Sequence, residues 1–164
     1  MSEEEAKQEI QVVIFRLQKE EFGIEINKVR EIVPMINITR LPSSSDSIMV
    51  GVINLRGQLI PIIQLSKLFN LPLVSTLPKT ARIVVAEVNH IVVGMIVDEV
   101  PHVLKIASKN IEPPPEIMMQ KICMEYIQGV GKIGDRLIIM LDVVRLLQPH
   151  DTTIQALKKD HYNG

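Results

Sequence analysis

Residues 11–17 and 20–26 read QVVIFRL and EEFGIEI, two short apolar-rich runs parted by Gln18 and Lys19. In the second run Phe22, Ile24 and Ile26 alternate with polar partners, the period of a half-buried strand, so the pair predicts a β-hairpin. The period then changes. Behind Asn27, the residues Val29, Ile32 and Val33 fall on one helical face and Pro34 stops further propagation, which predicts a short helix over 28–33. A Ser-rich connection at 43–47 leads into two more apolar runs, 48–53 and 59–63, joined by Asn54-Leu55-Arg56-Gly57-Gln58. These predict a second hairpin, with Gly57 free to take positive φ. Pro61 removes a ladder donor and so belongs at an edge, at a bulge or on the non-bonding side of its strand. Ser66 is placed to cap a short helix running to Phe69.

Residues 70–80, with Pro72, Ser75, Thr76 and Pro78, carry the strongest linker signal in the middle of the chain. The apolar runs resume at 81–88 (ARIVVAEV) and 90–98 (HIVVGMIVD) through Asn89, and continue over 100–107. After Pro113-Pro114-Pro115, strands are expected near 126–133 and 136–141, and Asp142 caps a last short helix to Leu147. Roughly ten short strands with frequent turn signals, and no helix long enough for a parallel crossover, predict a mostly β fold of barrel or sandwich type. The organisation expected is a polar tail over 1–9, a first β-barrel subdomain over 10–80 with strands open to exchange, a second over 81–148, and a helical or disordered tail over 149–164. The two halves resemble each other loosely, each offering strand pairs, a turn and a short helix.

Composition supports this reading. Isoleucine and valine, 24 and 18 residues of 164, make up about a quarter of the chain, and β-branched side chains suit a pleated surface. With 18 basic against 19 acidic residues and 3% aromatics there is neither a basic footprint nor a set of stacking platforms, so nucleic acid is an unexpected partner. The acidic start, Met-Ser-Glu-Glu-Glu, is not that of a secretion signal, and the longest apolar stretch, Ile91–Val97, is far short of a membrane span. A cytoplasmic protein without membrane insertion is expected. Cys123 alone forms no internal disulfide, which suits a reducing compartment. The triplet Asn37-Ile38-Thr39 has no weight without secretion.

Chemistry is hard to find. Gly129, Gly131 and Gly134 match the spacing of a dinucleotide fingerprint, but residues 135–141 that follow read as a strand where a helix is needed. The four histidines, at 90, 102, 150 and 161, and the one cysteine lack ligand spacing, so neither metal nor cofactor is implied. His90 and His102 flank Asp98, and Asp98 adjoins Glu99, yet an exposed turn histidine, a loop histidine and a turn-capping aspartate account for them better than catalysis does. Most of the methionines, Met49, Met95, Met118, Met119, Met124 and Met140 among them, read as core packing. Arg56 is more informative, because a guanidinium in a hairpin turn between apolar runs projects a permanent charge from a rigid scaffold.

The segment GVINLRGQLIPIIQL (51–65) resembles the most characteristic stretch of the CheW-type chemotaxis coupling proteins and of the related domain of CheA histidine kinases. KVREIV (28–33), VVGMIVDEV (92–100) and EYIQGVGKIGDRLIIMLDVVRLL (125–147) resemble further family segments in the same order, so the likeness covers roughly residues 10–148. One departure is Gln64, where the family usually has Asp before Leu; Ser66 is then the expected cap.

The resemblance implies two intertwined five-stranded SH3-like β-barrels with short helices, no enzyme activity and no cofactor. It implies an adaptor between the cytoplasmic helical tip of a chemoreceptor and the CheW-like domain of a CheA-type histidine kinase, recruited to membrane receptor arrays. By the matching motifs, Val29 and Glu31 with Asn54, Arg56 and Gly57 form part of the partner-binding surface, and Val93 and Gly94 lie towards a receptor-side groove between the barrels. Glu31 and Arg56, of opposite charge on adjoining motif segments, are expected to meet. Two other readings are a coupling protein of the same fold in a twitching or surface-sensing pathway and, from a different class, a small β-barrel enzyme or ligand carrier, which would need a deep pocket with convergent polar groups.

Overall fold

A computed structural model describes residues 8–40, 48–72, 76–114 and 124–147. The expectations for the Ser-rich connection, Met118, Met119, Cys123 and the C-terminal tail lie outside the described residues, as does most of the N-terminal tail. Twelve strands are described: β1 (Glu9–Leu17), β2 (Glu20–Glu25), β3 (Val29–Pro34), β4 (Thr39–Arg40), β5 (Met49–Leu55), β6 (Gln58–Gln64), β7 (Arg82–Val88), β8 (Ile91–Val97), β9 (Glu99–Ala107), β10 (Ile111–Glu112), β11 (Ile127–Ile133) and β12 (Arg136–Leu141). Two one-turn helices, α1 (Leu65–Leu68) and α2 (Val143–Leu146), follow β6 and β12.

The strands form two SH3-like barrels, each a sheet of five longer strands and a two-residue sixth. The central barrel has the order β3-β7-β8-β6-β5-β4, and the terminal barrel the order β9-β1-β2-β12-β11-β10. Both orders contain a hairpin set parallel to a second hairpin: β8 lies parallel to β6, and β2 parallel to β12. β1 to β6 thus correspond one by one to β7 to β12, and α1 to α2. Even the irregularities repeat, with a register shift between Met49 and Gly51 in β5 and another between Ile127 and Gly129 in β11. Strand pairing therefore does not divide at residue 80. That point separates two repeats, but each repeat sends its first hairpin into the barrel completed by the other.

The region 28–33 is not a helix. A single 3-10 turn, Ile26–Lys28, leads directly into β3, where Val29, Glu31 and Val33 are the more buried positions and Arg30, Ile32 and Pro34 the exposed ones. Pairing of β3 with β7 overrides the local pattern, as it often does for β-branched residues. Ser66 likewise lies inside α1 and does not cap it, and the residue at the cap, Gln64, makes no side-chain capping bond. Asp142 does cap α2, accepting the Arg145 N–H at 2.9 Å.

A continuous apolar core joins the barrels. It includes Phe15, Leu17, Phe22 and Ile24 from β1 and β2, Val84, Ala86, Val93 and Met95 from β7 and β8, and Ile139 and Leu141 from β12. All three phenylalanines of the chain stack in a row here, with centroids 5.6 Å apart for Phe15 and Phe22 and 5.1 Å for Phe22 and Phe69. Full burial of each is worth about 1.5–3 kcal/mol, which ties the N-terminal hairpin and the segment after α1 into one unit.

Candidate partner-binding surface

The β5–β6 hairpin turns through two residues in the left-handed region, Arg56 at φ 50° and Gly57 at φ 86°. Positive φ at both central positions matches the twist of the flanking strands. Asn54 fixes the turn, its Oδ1 accepting the Gly57 N–H at 2.9 Å. The turn in turn presents Arg56, whose Nη2 donates to Glu31 Oε2 on β3. The side chain of Arg56 is 65% exposed and that of Glu31 25%, so the guanidinium faces solvent while its acidic end is anchored. Next to it, Arg30 Nη1 donates to Gln58 Oε1 at 2.9 Å, and Arg30 Nε lies 3.9 Å from Glu87 Oε2.

These contacts bring four of the expected surface residues together, Glu31, Asn54, Arg56 and Gly57, at one end of the central barrel. Val29, at the start of the same strand, is half-buried against the core between the barrels. Val93 and Gly94 stand elsewhere. Both are buried, so neither is a wall of an open groove. Val93 is 2% exposed within the inter-barrel core, and a Cβ on Gly94 would meet Ile62 Cδ1 at 2.5 Å and Ile83 Cγ2 at 2.9 Å. Burial on β8 is continuous from Val93 to Val97.

The helical expectation over 28–33 concealed two features. Arg30 reaches Gln58 at the same end of the barrel, and Ile32, next to Glu31 in sequence and on the opposite face of β3, is 39% exposed; at the start of β6, Leu59 is 57% exposed. Read with a period of two, β3 would have shown Ile32 facing outward. By the repeat correspondence, Val103 on β9 and Leu137 on β12 occupy the equivalent places in the terminal barrel, at 45% and 61% exposure.

The acids and histidines weighed for catalysis are each engaged otherwise. Asp98 Oδ2 accepts the Gln18 N–H at 2.7 Å, Glu99 pairs with Arg16 at 2.7 Å, His90 sits in the β7–β8 turn at φ 67°, and His102 Nε2 lies 3.2 Å from Arg136 Nη2. Arg136 also grips Glu21 through two hydrogen bonds of 3.0 and 2.7 Å, which hold the Glu21 carboxyl below its ordinary range against the opposing effect of burial. Among the described residues, no three His, Cys, Asp or Glu side chains gather where they could hold a metal ion, and no helix is long and apolar enough to cross a membrane.

The profile of the CheW-like domain matches residues 11–150. The chain belongs to the CheW-like family. This CheW-like chain is 37% identical to the chemotaxis protein CheW of Klebsiella aerogenes over 91% of its own length and 89% of that protein. It is 34% identical to CheW of Bacillus subtilis over 83% and 85% of the two chains. Among solved structures it resembles the scaffolding protein CheW of Thermoanaerobacter tengcongensis, with a TM-score of 0.73, 35% identity, and coverage of 80% and 83%. The CheW-like chain is accordingly an adaptor of chemotaxis signalling, in a family whose work is scaffolding.

Proposed function

We propose that this protein couples chemoreceptors to a CheA-type histidine kinase through the end of the central barrel built by Glu31, Asn54, Arg56 and Gly57. It does so in the cytoplasm, at membrane receptor arrays, without catalysis. The observation that carries this reading is the ion pair from the β5–β6 turn to β3, a rigidly mounted charge on a barrel that also exposes Ile32 on β3 and Leu59 on β6. Charges at the rim of an apolar patch set register and salt dependence, while the apolar part supplies contact area. The kinase's CheW-like domain and the receptor's helical tip are the partners such a surface serves. Val29, Val93 and Gly94 contribute from inside, by setting how β3 and the two barrels pack next to the receptor-side region.

Co-sedimentation with a receptor cytoplasmic fragment and the kinase tests the proposal. Arg56→Glu sets two carboxylates against each other and is expected to abolish co-sedimentation, yet to change folding stability by only about 0–1 kcal/mol, the scale of an exposed pair. Adding Glu31→Arg restores opposite charges and is expected to restore binding in part. Wild-type protein that associates with neither partner would sink the adaptor reading for this pathway; a charge-reversed double variant as inactive as Arg56→Glu would sink the role of the pair alone.

A further inference from the structure

The chain passes between the barrels twice, once at the 3-10 turn Ile26–Lys28 and once at Asp98, between β8 and β9. The first crossing buries none of its residues and has no side-chain cap. The second is held on three sides. Asp98 Oδ2 accepts the Gln18 N–H at 2.7 Å, Asp98 N–H donates to the Arg16 carbonyl at 2.9 Å, and the Asp98 carbonyl accepts the Thr80 hydroxyl at 2.8 Å. Arg16 and Gln18 belong to β1 and the β1–β2 turn of the terminal barrel, whereas Thr80 leads into β7 of the central barrel. Gln18 also donates through Nε2 to the Pro72 carbonyl, on the segment that follows α1.

The core between the barrels is apolar, and apolar contact is non-directional. It holds the barrels together by close packing. Hydrogen bonds do depend on direction, and the one to the Asp98 carboxylate is charge-assisted. The geometry points to Asp98 as the positioning residue that fixes the angle between the two barrels and, with it, the receptor-side region near Val93. Its effect on the angle stands on the contacts above; its effect on receptor binding rests on the proposed function.

Nitroxides on Leu59→Cys and Leu137→Cys, one exposed site on each barrel, in a Cys123→Ser background, report the inter-barrel distance by pulsed electron spin resonance. Asp98→Ala is expected to shift or broaden the distance distribution, and Asp98→Asn, which keeps an oxygen acceptor, to retain the wild-type distribution. Thr80→Val, at an exposed position, removes one of the three bonds and is expected to broaden it less; if Asp98→Ala does not fold, this variant decides. In unlabelled protein, Asp98→Ala is expected to weaken binding of the receptor fragment on the order of tenfold, the scale of one charge-assisted hydrogen bond. Distances unchanged in Asp98→Ala, or in Thr80→Val where it alone folds, would overturn the positioning role, as would Asp98→Asn behaving like Asp98→Ala. A changed distance with unchanged receptor binding would uphold that role and overturn the receptor-side reading instead.

Discussion

The hydrogen bonds from Arg136 are the main reason that the Glu21 carboxyl is held below its ordinary range; Arg16 and His102 add smaller pulls in the same direction. Because folding lowers this pKa, the pair's contribution to stability is complete above the ordinary glutamate value of about 4.5 and is lost as pH falls through the lower folded value. Thermal melts of Glu21→Gln between about pH 6 and about pH 3 are therefore expected to show a shallower acid limb than wild type; equal slopes would mean that the pair adds nothing to folding. Close approach of strands decides the glycines. A Cβ on Gly94 meets side-chain ends that can shift, so Gly94→Ala is expected to cost about 1–3 kcal/mol. At Gly51 the obstacle includes the Thr39 backbone carbonyl and Ile38 Cγ2 at 2.7 Å, so Gly51→Ala is expected to cost more, measured by denaturant unfolding. At this scale the sequence was informative where chemistry is local. Arg56 and Glu31 were legible as a pair from charge and motif, and Gly57 from its turn, whereas the bidentate grip of Arg136 on Glu21, 115 positions away, has no local signal.

Among elements, α1 and α2 are a natural comparison because they occupy the same place in the two repeats. Asp142 accepts an N–H of the first turn of α2, but at the equivalent position Gln64 carries a side chain one methylene longer that makes no capping bond. A helix this short leaves most of its N–H groups without intrahelical acceptors, so a cap matters more than propensity. Gln64→Asp is expected to stabilise the protein by about 0.5–2 kcal/mol, the usual range for a cap, and Asp142→Ala to destabilise it by a similar amount. Chemical denaturation of the two variants measures both, and a neutral Gln64→Asp would show that the geometry at α1 does not admit the Asp142 arrangement. The cap at Asp142 was legible in the sequence, as were the hairpins over β1–β2, β5–β6, β7–β8 and β11–β12, because each is set by adjacent residues. β3 was not. Val29, Ile32 and Val33 satisfy a helical spacing as well as residues in a strand can, and only the presence of β7 alongside decides between them.

For the whole molecule, the decisive fact is that neither repeat owns a barrel. The terminal barrel takes β1 and β2 from the first repeat and β9 to β12 from the second, while the central barrel takes β3 to β6 from the first and β7 and β8 from the second. Composition and linker signals placed a boundary near residue 80, and they could not show that hairpins cross it, because exchange leaves every local pattern unchanged and alters only which strands meet. The exchange has a mechanical consequence. Residues 76–80 are exposed, and the strands on either side of that connection, β6 and β7, lie in the same barrel. A protease site inserted between Leu77 and Pro78 is expected to be cut without releasing either half, since separation would part β2 from β12, β1 from β9, β6 from β8 and β3 from β7 and open both sheets at once. The cut protein should elute as one particle holding both fragments in equal amounts and melt in a single transition. Two species on gel filtration would mean that the repeats come apart and that the exchanged pairing does not hold them, whereas two melting steps would mean that the barrels unfold as independent units, and the angle assigned to Asp98 would then have no rigid body to act on.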